Sequence, residues 1–316
     1  MKISVIIPVY NAEKFVEQAV RSALDQPEVA EVILIEDCSP DNALAICERL
    51  AEDHGKVSLL RHPNGENRGA SASRNLGIEN AKCDFVAFLD ADDFYLPERF
   101  KIAREVFSED KEAEAVYEAI GTHFENEAAQ KKWLEMGAPI LTTVKPGTPE
   151  SRIFEEQAPL GRAGHCSLDG LTVKRSVIKK TGLLDTRLVM GEDTAFFMKL
   201  SACSEVRLGE IGNPVTMRRV HDENRITAMR DPERQWWDRL SIWLSVLRWF
   251  REERAHHAER RTGLILSKML YDLTSFQPGR SPLLRTLTIV RKEPCLLMNR
   301  QFVAGVTKRI IKTKNI

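Results

Sequence analysis

Apolar and polar residues alternate with two different periods over the first hundred positions. Four short runs are almost continuously apolar and rich in β-branched or aromatic residues: ISVIIPVY, EVILIED, VSLL and CDFVAFLD. Such runs are typical of strands that are covered on both faces. Between them, AEKFVEQAVRSALDQ and NALAICERLAEDHG carry their apolar residues on one helical face. Alternating strands and helices predict an α/β fold with a doubly wound, mostly parallel central sheet, as in Rossmann-like proteins.

The rest of the chain is less regular. After Pro97, ERFKIAREVF predicts a helix, and AEAVYEAIGTHF predicts one further strand. Residues 126–163 contain several prolines and glycines and little periodicity, so we expect a loop-rich insertion there. Strand and helix alternation resumes with GLTVKRSVIKKTG and GEDTAFFMKLSAC. From Asp231 the pattern changes to helices, the first of which carries apolar residues at helical spacing: Trp236, Leu240, Trp243, Leu247 and Phe250.

Composition narrows the class of protein. The chain has 316 residues, with 43% hydrophobic and 29% charged positions. Lys plus Arg and Asp plus Glu both total 46, so the net charge gives no reason to expect nucleic-acid binding. The six cysteines have no short paired spacing that would indicate a zinc site or a redox pair. No apolar stretch reaches the roughly 18–20 residues of a membrane span, and we expect a cytoplasmic protein.

Carboxylates follow two of the predicted strands. Asp37 follows the second, and FLDADD places Asp90, Asp92 and Asp93 after the fourth. Ligands of doubly wound sheets bind beyond the carboxyl ends of strands. Like charges this close raise each other's pKa unless something positive lies among them. Asp90 and Asp92, two positions apart, suit Mg²⁺ or Mn²⁺ held together with substrate phosphates, although a solvated acidic turn before a helix fits equally well.

Two other stretches offer groups for the same rim. Asp37 can accept an N–H from a nucleobase, or build a turn with Ser39. Arg74, in ENRGASASRNLG, can direct its guanidinium toward a nucleotide, or form a surface ion pair. The Gly-rich dinucleotide fingerprint and the P-loop are both absent from this sequence, which argues against a dehydrogenase or an ATPase.

Two later stretches complete the candidates. In VMGEDTAFFMKL, Glu192 and Asp193 precede an apolar helix, where a carboxylate can cap the helix or act as a general base. In MRRVHDENR, Arg218, Arg219 and His221 can neutralise a leaving diphosphate and complete a metal site, or form a basic loop.

The order of these motifs closely resembles family 2 glycosyltransferases of the GT-A fold. SVIIPVYNAEKF, IEDCSPD, NRGASASRN, FLDADD and GED before an aromatic-rich helix carry the resemblance, which extends from Met1 to about Thr227. One departure is Cys38, where the family commonly has glycine in Asp-Asp-Gly-Ser. The resemblance implies a catalytic domain over 1–228, with a nucleotide-sugar-binding half (1–110) and an acceptor-binding half (111–228). A helical C-terminal extension would cover 229–316.

The resemblance also implies a role for each matching residue. The nucleotide sugar would contact residues from four motifs: Pro8, Val9, Tyr10, Asp37, Arg74, Asp90, Ala91 and Asp92. Asp92 and His221 would bind Mn²⁺ or Mg²⁺, and Asp193 would be the catalytic base. Diphosphate or acceptor contacts are expected from Glu192, Arg218 and Arg219, and also from Asp169, which lies in the loop-rich region and not in a matching motif.

The implied activity is a single inverting displacement in cell-surface polysaccharide biosynthesis. One sugar would pass from a nucleotide-diphosphate sugar, in particular a UDP-sugar, to a hydroxyl of a saccharide or lipid-linked acceptor. The processive Gln-x-x-Arg-Trp element is absent from the sequence. One alternative is a binding module of the same fold without turnover. Another is a phosphotransfer enzyme with an Asp nucleophile in DADD, disfavoured because Asp93 and Phe94 follow instead of the usual Val or Thr.

The C-terminal extension leaves further alternatives open. Its helices can pack on the catalytic domain, form a homodimer, or contact the inner face of the plasma membrane. The last of these rests on a series of basic residues that faces one acid, Glu293: Arg280, Arg285, Arg291, Lys292, Arg300, Lys308, Arg309, Lys312 and Lys314.

Overall fold

A computed structural model describes residues 1–156, 166–221, 224 and 232–252, together with isolated positions between 290 and 306. The described residues fall into two compact units. The first lies within residues 1–228 and contains the strands; the second contains the helix at 232–252, and the short segment Leu188–Gly191 groups with it. The domain boundary expected at residue 228 stays a prediction.

The helices and strands follow one another in this order: β1 (Ile3–Val9), α1 (Val16–Leu24), β2 (Val29–Glu36), α2 (Ala43–Asp53), β3 (Val57–Arg61), α3 (Gly69–Asn80), β4 (Phe85–Phe88), β5 (Phe94–Tyr95), α4 (Lys101–Glu109), β6 (Ala115–Tyr117), β7 (Ile120–Phe124), α5 (Glu127–Glu135), α6 (Ile153–Glu156), β8 (Leu171–Lys174), α7 (Ile178–Thr181), α8 (Glu192–Cys203), β9 (Val206–Leu208), β10 (Thr216–Val220) and α9 (Pro232–Glu252).

The central sheet is mostly parallel, as the sequence predicted. Within the described residues it has seven strands in the order β3-β2-β1-β4-β8-β6-β9. Strand β8 runs antiparallel to its neighbours β4 and β6, whereas the other pairings are parallel. The expected α/β fold with a mostly parallel sheet is therefore confirmed.

Both faces of β1 are buried, which explains its continuous apolar run. Ile3, Val5 and Ile7 belong to the core that α1 and α2 cover. Ile6 points to the opposite core, shared with Ile78 of α3 and with residues of α8. Because side chains alternate across a strand, a strand covered on both sides needs apolar residues at successive positions.

The stretch AEAVYEAIGTHF was wrongly predicted as one strand. It forms β6 and β7, which belong to different sheets; β7 joins a small sheet in the order β5-β10-β7. The break falls at Glu118, whose side chain is fully buried and forms an ion pair with Arg99. The backbone N–H groups of Glu118 and Ala119 bond to Gly170 and Glu210 rather than continuing one ladder.

The loop-rich prediction for residues 126–163 was wrong in its first part. Helix α5 occupies nine of these positions, and the side chain of Asn126 caps it by accepting the Ala129 N–H at 2.8 Å. An Asn at the N-cap is a recognised start signal that the surrounding glycines and prolines obscured. Residues 136–149 form an irregular connection, as expected.

The predicted C-terminal helix is present as α9. Leu240, Trp243, Leu247 and Phe250 are buried, in agreement with their helical spacing. Across the described residues, no helix combines the length and apolar character that crossing a bilayer requires. Apart from Arg291, the basic positions expected to contact a membrane lie outside the described residues. Membrane contact and dimerisation therefore stay predictions.

Candidate functional site

The carboxyl ends of β1, β2 and β4 lie side by side at one edge of the large sheet. Val9, at the end of β1, pairs with Glu36, at the end of β2, and β4 pairs with β1 from the other side. The chain turns sharply beyond two of these ends, where Asn11 and Cys38 have φ angles of 54° and 59°. The polar groups that follow these strands therefore gather at one rim, where a ligand site is expected.

The predicted contacts at the end of β1 differ in exposure. Tyr10 is 54% exposed at the rim, whereas the Val9 side chain is fully buried. The Val9 carbonyl accepts the N–H of Asp37 at 2.9 Å, which ties the first strand end to the second. Pro8 is half-buried between them. Contact of these residues with a nucleobase stays a prediction.

Asp37 fixes the start of α3 against the end of β2. Its buried carboxylate accepts the backbone N–H groups of Arg68 and Gly69, both at 2.7 Å. Its carbonyl accepts the Asn67 amide at 2.8 Å. A carboxylate is favourable at this position because the helix N-terminus presents unpaired N–H groups. Each carboxylate oxygen has a second lone pair, so its contact with a nucleobase stays a prediction.

The DADD turn presents two carboxylates outward and one inward. Asp90 and Asp92 have side chains that are 39% and 31% exposed, whereas Asp93 is 3% exposed. The Asp93 N–H donates to the Asp90 carbonyl at 3.0 Å and closes the turn around the buried Ala91. The Asp93 carboxylate accepts the backbone N–H of Arg219 at 2.8 Å, so it connects the turn to β10.

A buried acid lies beneath this turn. Asp169 accepts the Asp90 N–H at 3.1 Å, and carboxylate oxygens of Asp90, Asp93 and Asp169 lie within 4.8 Å of one another. Burial raises the pKa of Asp93 well above its usual range, and Asp92 adds to the rise. Burial also raises the pKa of Asp169 to about 7, with Asp90 next in importance. Burial thus favours protonation within this cluster, whose three carboxylates are also close enough to hold a metal ion, and contact of Asp169 with a diphosphate or an acceptor stays a prediction.

Arg219 supports the DADD turn from β10. Its Nε donates to the Asp92 carbonyl at 2.8 Å, and its guanidinium forms an ion pair with Glu125. The guanidinium carbon lies 4.9 Å and 5.2 Å from the ring centroids of Phe15 and Phe94. These contacts hold the side chain among protein groups, where stacking on aromatic rings favours arginine. Its contact with a diphosphate stays a prediction.

The predicted metal ligands Asp92 and His221 meet at the partly exposed end of the turn. Asp92 Oδ2 lies 3.2 Å from His221 Nε2 and 3.1 Å from the amide nitrogen of Asn224. Two ligands at right angles on an octahedral ion with bonds of about 2.1 Å would lie about 3.0 Å apart. The spacing and the oxygen–nitrogen donor set are therefore compatible with a divalent ion such as Mn²⁺ or Mg²⁺, and which of the two binds stays a prediction.

Arg74 is buried, and it joins two motifs that are distant in sequence. One terminal nitrogen donates to Asp90 at 2.5 Å, and the other donates to Glu192 at 2.9 Å. The Arg74 and Glu192 side chains are 5% and 9% exposed. Burial of a charge is tolerated when ion pairs and hydrogen bonds compensate it. The predicted nucleotide contact of Arg74 is not tested by this geometry and stays a prediction.

Asp193 lies beside Glu192 at the start of α8. It is partly exposed, and it accepts the Thr194 N–H at 2.6 Å. Burial raises the pKa of Asp193 to about 6, with Glu192 next in importance, while Arg74 and Arg218 oppose the rise. A carboxylate with this pKa is ionised at neutral pH and is a stronger base than an ordinary aspartate.

Arg218 places positive charge between the acid cluster and Asp193. Its guanidinium donates to Thr142 Oγ1 at 3.3 Å. The carboxylates that act on it electrostatically are, in decreasing order, Asp93, Asp169, Asp193 and Asp90. The site therefore contains a cation close enough to the expected base to lower its pKa, and the contact of Arg218 with a diphosphate stays a prediction.

Several supporting residues were not chosen from the sequence. Asn224, in the same MRRVHDENR stretch as His221, donates its amide N–H to Asp92 at 3.1 Å and accepts the His221 N–H through its amide oxygen, so it holds these two residues together. Three others come from distant parts of the chain: Phe15 immediately precedes α1, Glu125 immediately follows β7, and Thr142 lies in the irregular connection. No spacing in the sequence indicates these three, because the fold alone brings them to the rim.

Comparison with protein families identifies a model that matches this chain. The model of glycosyl transferase family 2 matches residues 4–168. Among curated proteins, the minor teichoic acid biosynthesis protein GgaA of Bacillus subtilis is 27% identical over 215 residues, which cover 66% of this chain and 45% of GgaA. The succinoglycan biosynthesis protein ExoU of Rhizobium meliloti is 37% identical over 97 residues, or 31% of this chain and 28% of ExoU. The chain thus spans less than half the length of these relatives.

Solved structures resemble the chain in fold. S. aureus TarS 1-349 in complex with UDP-GlcNAc has a TM-score of 0.58 and 20% identity, covering 98% of this chain and 80% of TarS 1-349. The mannosyltransferase PcManGT from Pyrobaculum calidifontis, in complex with GDP-Man and Mn²⁺, has a TM-score of 0.51 and 17% identity, covering 98% and 87%. Together with the family model, which matches more than half of the chain, these likenesses establish that the protein has the GT-A fold and belongs to glycosyl transferase family 2.

Proposed function

We propose that this protein is a metal-dependent, inverting glycosyltransferase that moves one sugar from a nucleotide-diphosphate sugar to an acceptor hydroxyl. The observation that carries the proposal is the double ion pair of Arg74. Through it, a carboxylate of the DADD turn and the helix start that bears Asp193 are joined by one side chain. Donor-side acids and a base of raised pKa thus belong to a single site.

The donor we propose is a UDP-sugar. Its base and ribose would lie along the rim beside Tyr10, Asp37 and Asp90. TarS structures in complex with UDP and UDP-GlcNAc support this choice. Because PcManGT was solved in complex with GDP-Man, a GDP-sugar is the alternative donor that the test includes. The acceptor we propose is a saccharide or lipid-linked saccharide, supported by the names of GgaA and ExoU, which point to cell-surface polymers.

The chemistry proposed is one displacement at the anomeric carbon. Asp193 takes the proton of the acceptor hydroxyl as its oxygen forms the new glycosidic bond. The bond between the anomeric carbon and the diphosphate breaks, and Arg218 offsets the developing charge on the leaving group. A divalent metal held by Asp92 and His221 would, when bound, add positive charge beside that diphosphate. Attack from the face opposite the leaving group inverts the anomeric configuration.

The experiment that tests this function combines donor binding with turnover. A thermal-shift screen of UDP- and GDP-sugars with Mn²⁺ identifies the donor, because a ligand that binds the native state raises its stability. Release of the nucleoside diphosphate is then measured with a panel of saccharide acceptors. We expect Asp193→Asn to bind the donor within about threefold of wild type and to turn over about 100-fold or more slowly.

The matched control is Asp53→Asn, an exposed aspartate of α2. Its turnover should equal that of wild type. Full turnover by Asp193→Asn would overturn the assignment of the base. If wild type binds the donor but releases no nucleoside diphosphate from it in the presence of any acceptor tested, the alternative of a binding module without catalysis would be favoured.

A further inference from the structure

We infer that Arg74 is a positioning residue, which together with Asn75 holds both ends of the segment leading into α8 and so fixes the location of Asp193. This inference rests on the proposed function for its meaning, since Asp193 is the proposed base. It differs from the nucleotide contact that the motif resemblance implies for Arg74.

The first support is the geometry of the guanidinium. Its two terminal nitrogens are committed to different carboxylates, Asp90 at 2.5 Å and Glu192 at 2.9 Å. Its Nε is buried and has no hydrogen-bond partner among the described residues. A planar fork with several fixed N–H directions can bridge two carboxylates, whereas the single ammonium of lysine cannot reproduce both directions.

The second support is the neighbouring residue. Asn75 is buried, and its amide nitrogen donates to the Leu184 carbonyl at 2.9 Å. Its amide oxygen accepts the Leu184 N–H, also at 2.9 Å. Leu184 precedes the segment that leads into α8, and Glu192 begins that helix. Two consecutive residues of α3 therefore bind the two ends of this segment: Asn75 binds Leu184 before it, and Arg74 binds Glu192 after it.

The third support is that α3 itself is fixed on the sheet. Gly77 lies on the helix so close to β1 that an added Cβ would meet Ile6 Cγ2 at 2.5 Å. At the start of the helix, the Asp37 carboxylate binds two backbone N–H groups. Because the helix has little freedom to shift, Arg74 and Asn75 can transmit a defined position to α8.

The charges around Asp193 predict that loss of Arg74 changes the pH dependence of the reaction. Glu192 on α8 raises the pKa of Asp193, whereas Arg74 on α3 and Arg218 on β10 lower it. Loss of Arg74 leaves Glu192 without its ion-pair partner beside the base. The folded protein should then bind a proton at Asp193 more readily, and the acid limb of the pH–rate profile should move to higher pH.

The test compares Arg74→Met and Arg74→Lys with wild type, with Arg104→Met as control. Arg104 also pairs with a buried carboxylate, that of Glu28 at 2.6 Å. Isothermal titration with UDP and MnCl₂ measures nucleotide binding, and diphosphate release measures kcat. We expect Arg74→Met to keep UDP affinity within about threefold while kcat falls about 100-fold, and Arg74→Lys to recover part of kcat. Asn75→Ala should resemble Arg74→Met, and Arg104→Met should keep both values.

Hydrogen exchange separates this inference from the proposed function. In Arg74→Met, amides of residues 192–200 should exchange about tenfold faster, whereas amides of β1 and β2 keep their protection. Hydrogen exchange can be measured without turnover. If the protein has no transferase activity, the proposed function is overturned, but exchange at residues 192–200 still tests whether Arg74 positions α8. Unchanged exchange at 192–200, or a loss of UDP affinity with kcat intact, would overturn the role of Arg74. Should Arg74→Met fail to fold, Arg74→Lys carries the same comparison.

Discussion

Removal of the buried Arg99 guanidinium is expected to destabilise the protein strongly. Arg99 and Glu118 are 0% and 1% exposed in their side chains and form an ion pair at 2.5 Å. Arg99 also donates to the Asp169 carbonyl at 3.0 Å, and its guanidinium lies 4.8 Å from the ring centroid of Phe100. The ion pair therefore contacts Asp169, the residue whose carboxylate accepts the Asp90 N–H of the DADD turn.

The magnitude follows from the burial of both partners. Removing one partner of a buried ion pair costs about 3–5 kcal/mol, because the other charge is left without compensation. We therefore expect Arg99→Met to lower the free energy of unfolding by about 3–5 kcal/mol. Replacing both partners, as in Arg99→Met with Glu118→Leu, should restore about 2 kcal/mol of this loss. Arg21→Met removes an exposed pair with Glu17 and should cost at most about 1 kcal/mol.

The loss should also depend on pH. Burial raises the pKa of Glu118 in the folded state, and Arg99 opposes the rise. Without Arg99 the folded-state pKa rises further above the unfolded value, so the folded protein takes up a proton at low pH. The variant should therefore be least destabilised below the unfolded-state pKa of Glu118, and its deficit should grow as pH rises from that value through the folded-state pKa.

Urea unfolding followed by far-UV circular dichroism measures these free energies, with m values compared so that midpoints can be interpreted. The reasoning would be refuted by a loss below about 1 kcal/mol for Arg99→Met, or by a double variant no more stable than the single one.

Three further predictions concern the rim and the helix behind it. The acid limb of the pH profile of wild-type kcat/KM should have its midpoint near pH 6, because burial, and after it Glu192, raise the pKa of Asp193 to about 6. A midpoint below pH 5 would contradict this prediction. Cys38→Gly should raise the free energy of unfolding by up to about 1 kcal/mol, because Cys38 has a φ of 59°; unchanged thermal stability would argue against this strain. Gly77→Ala should lower stability by about 1–3 kcal/mol, because its Cβ would meet Ile6 at 2.5 Å; a neutral effect in the same assay would show that the helix can shift.

The sequence predicted the first half of the central sheet well for a physical reason. Strands covered on both faces, such as β1 and β2, must be apolar at successive positions, and their helices must carry one apolar face. The carboxylates after those strands could be located because parallel strands end at one edge. In this part of the chain, the hydrophobic pattern of each segment and its place in the fold lead to the same prediction.

The remaining features depend on contacts between distant residues. The strand predicted around Glu118 divides because this buried acid needs Arg99, nineteen positions earlier in the chain. Arg74 was expected at a nucleotide, and its ion pair with Glu192 spans 118 positions. Asp169 was expected to contact a diphosphate or an acceptor, which stays a prediction, and its hydrogen bond to the Asp90 N–H spans 79 positions. Buried polar pairs have no periodic signature in sequence, so only the fold reveals them.

The most direct test of the central claim is isothermal titration of UDP with and without MnCl₂, for wild type and for Asp92→Asn. The account predicts that Mn²⁺ tightens UDP binding about tenfold or more in wild type and less than about twofold in Asp92→Asn, because Asp92 and His221, which lie 3.2 Å apart, are the proposed protein ligands of the ion. An equal effect of Mn²⁺ on both proteins, or none on wild type, would contradict it.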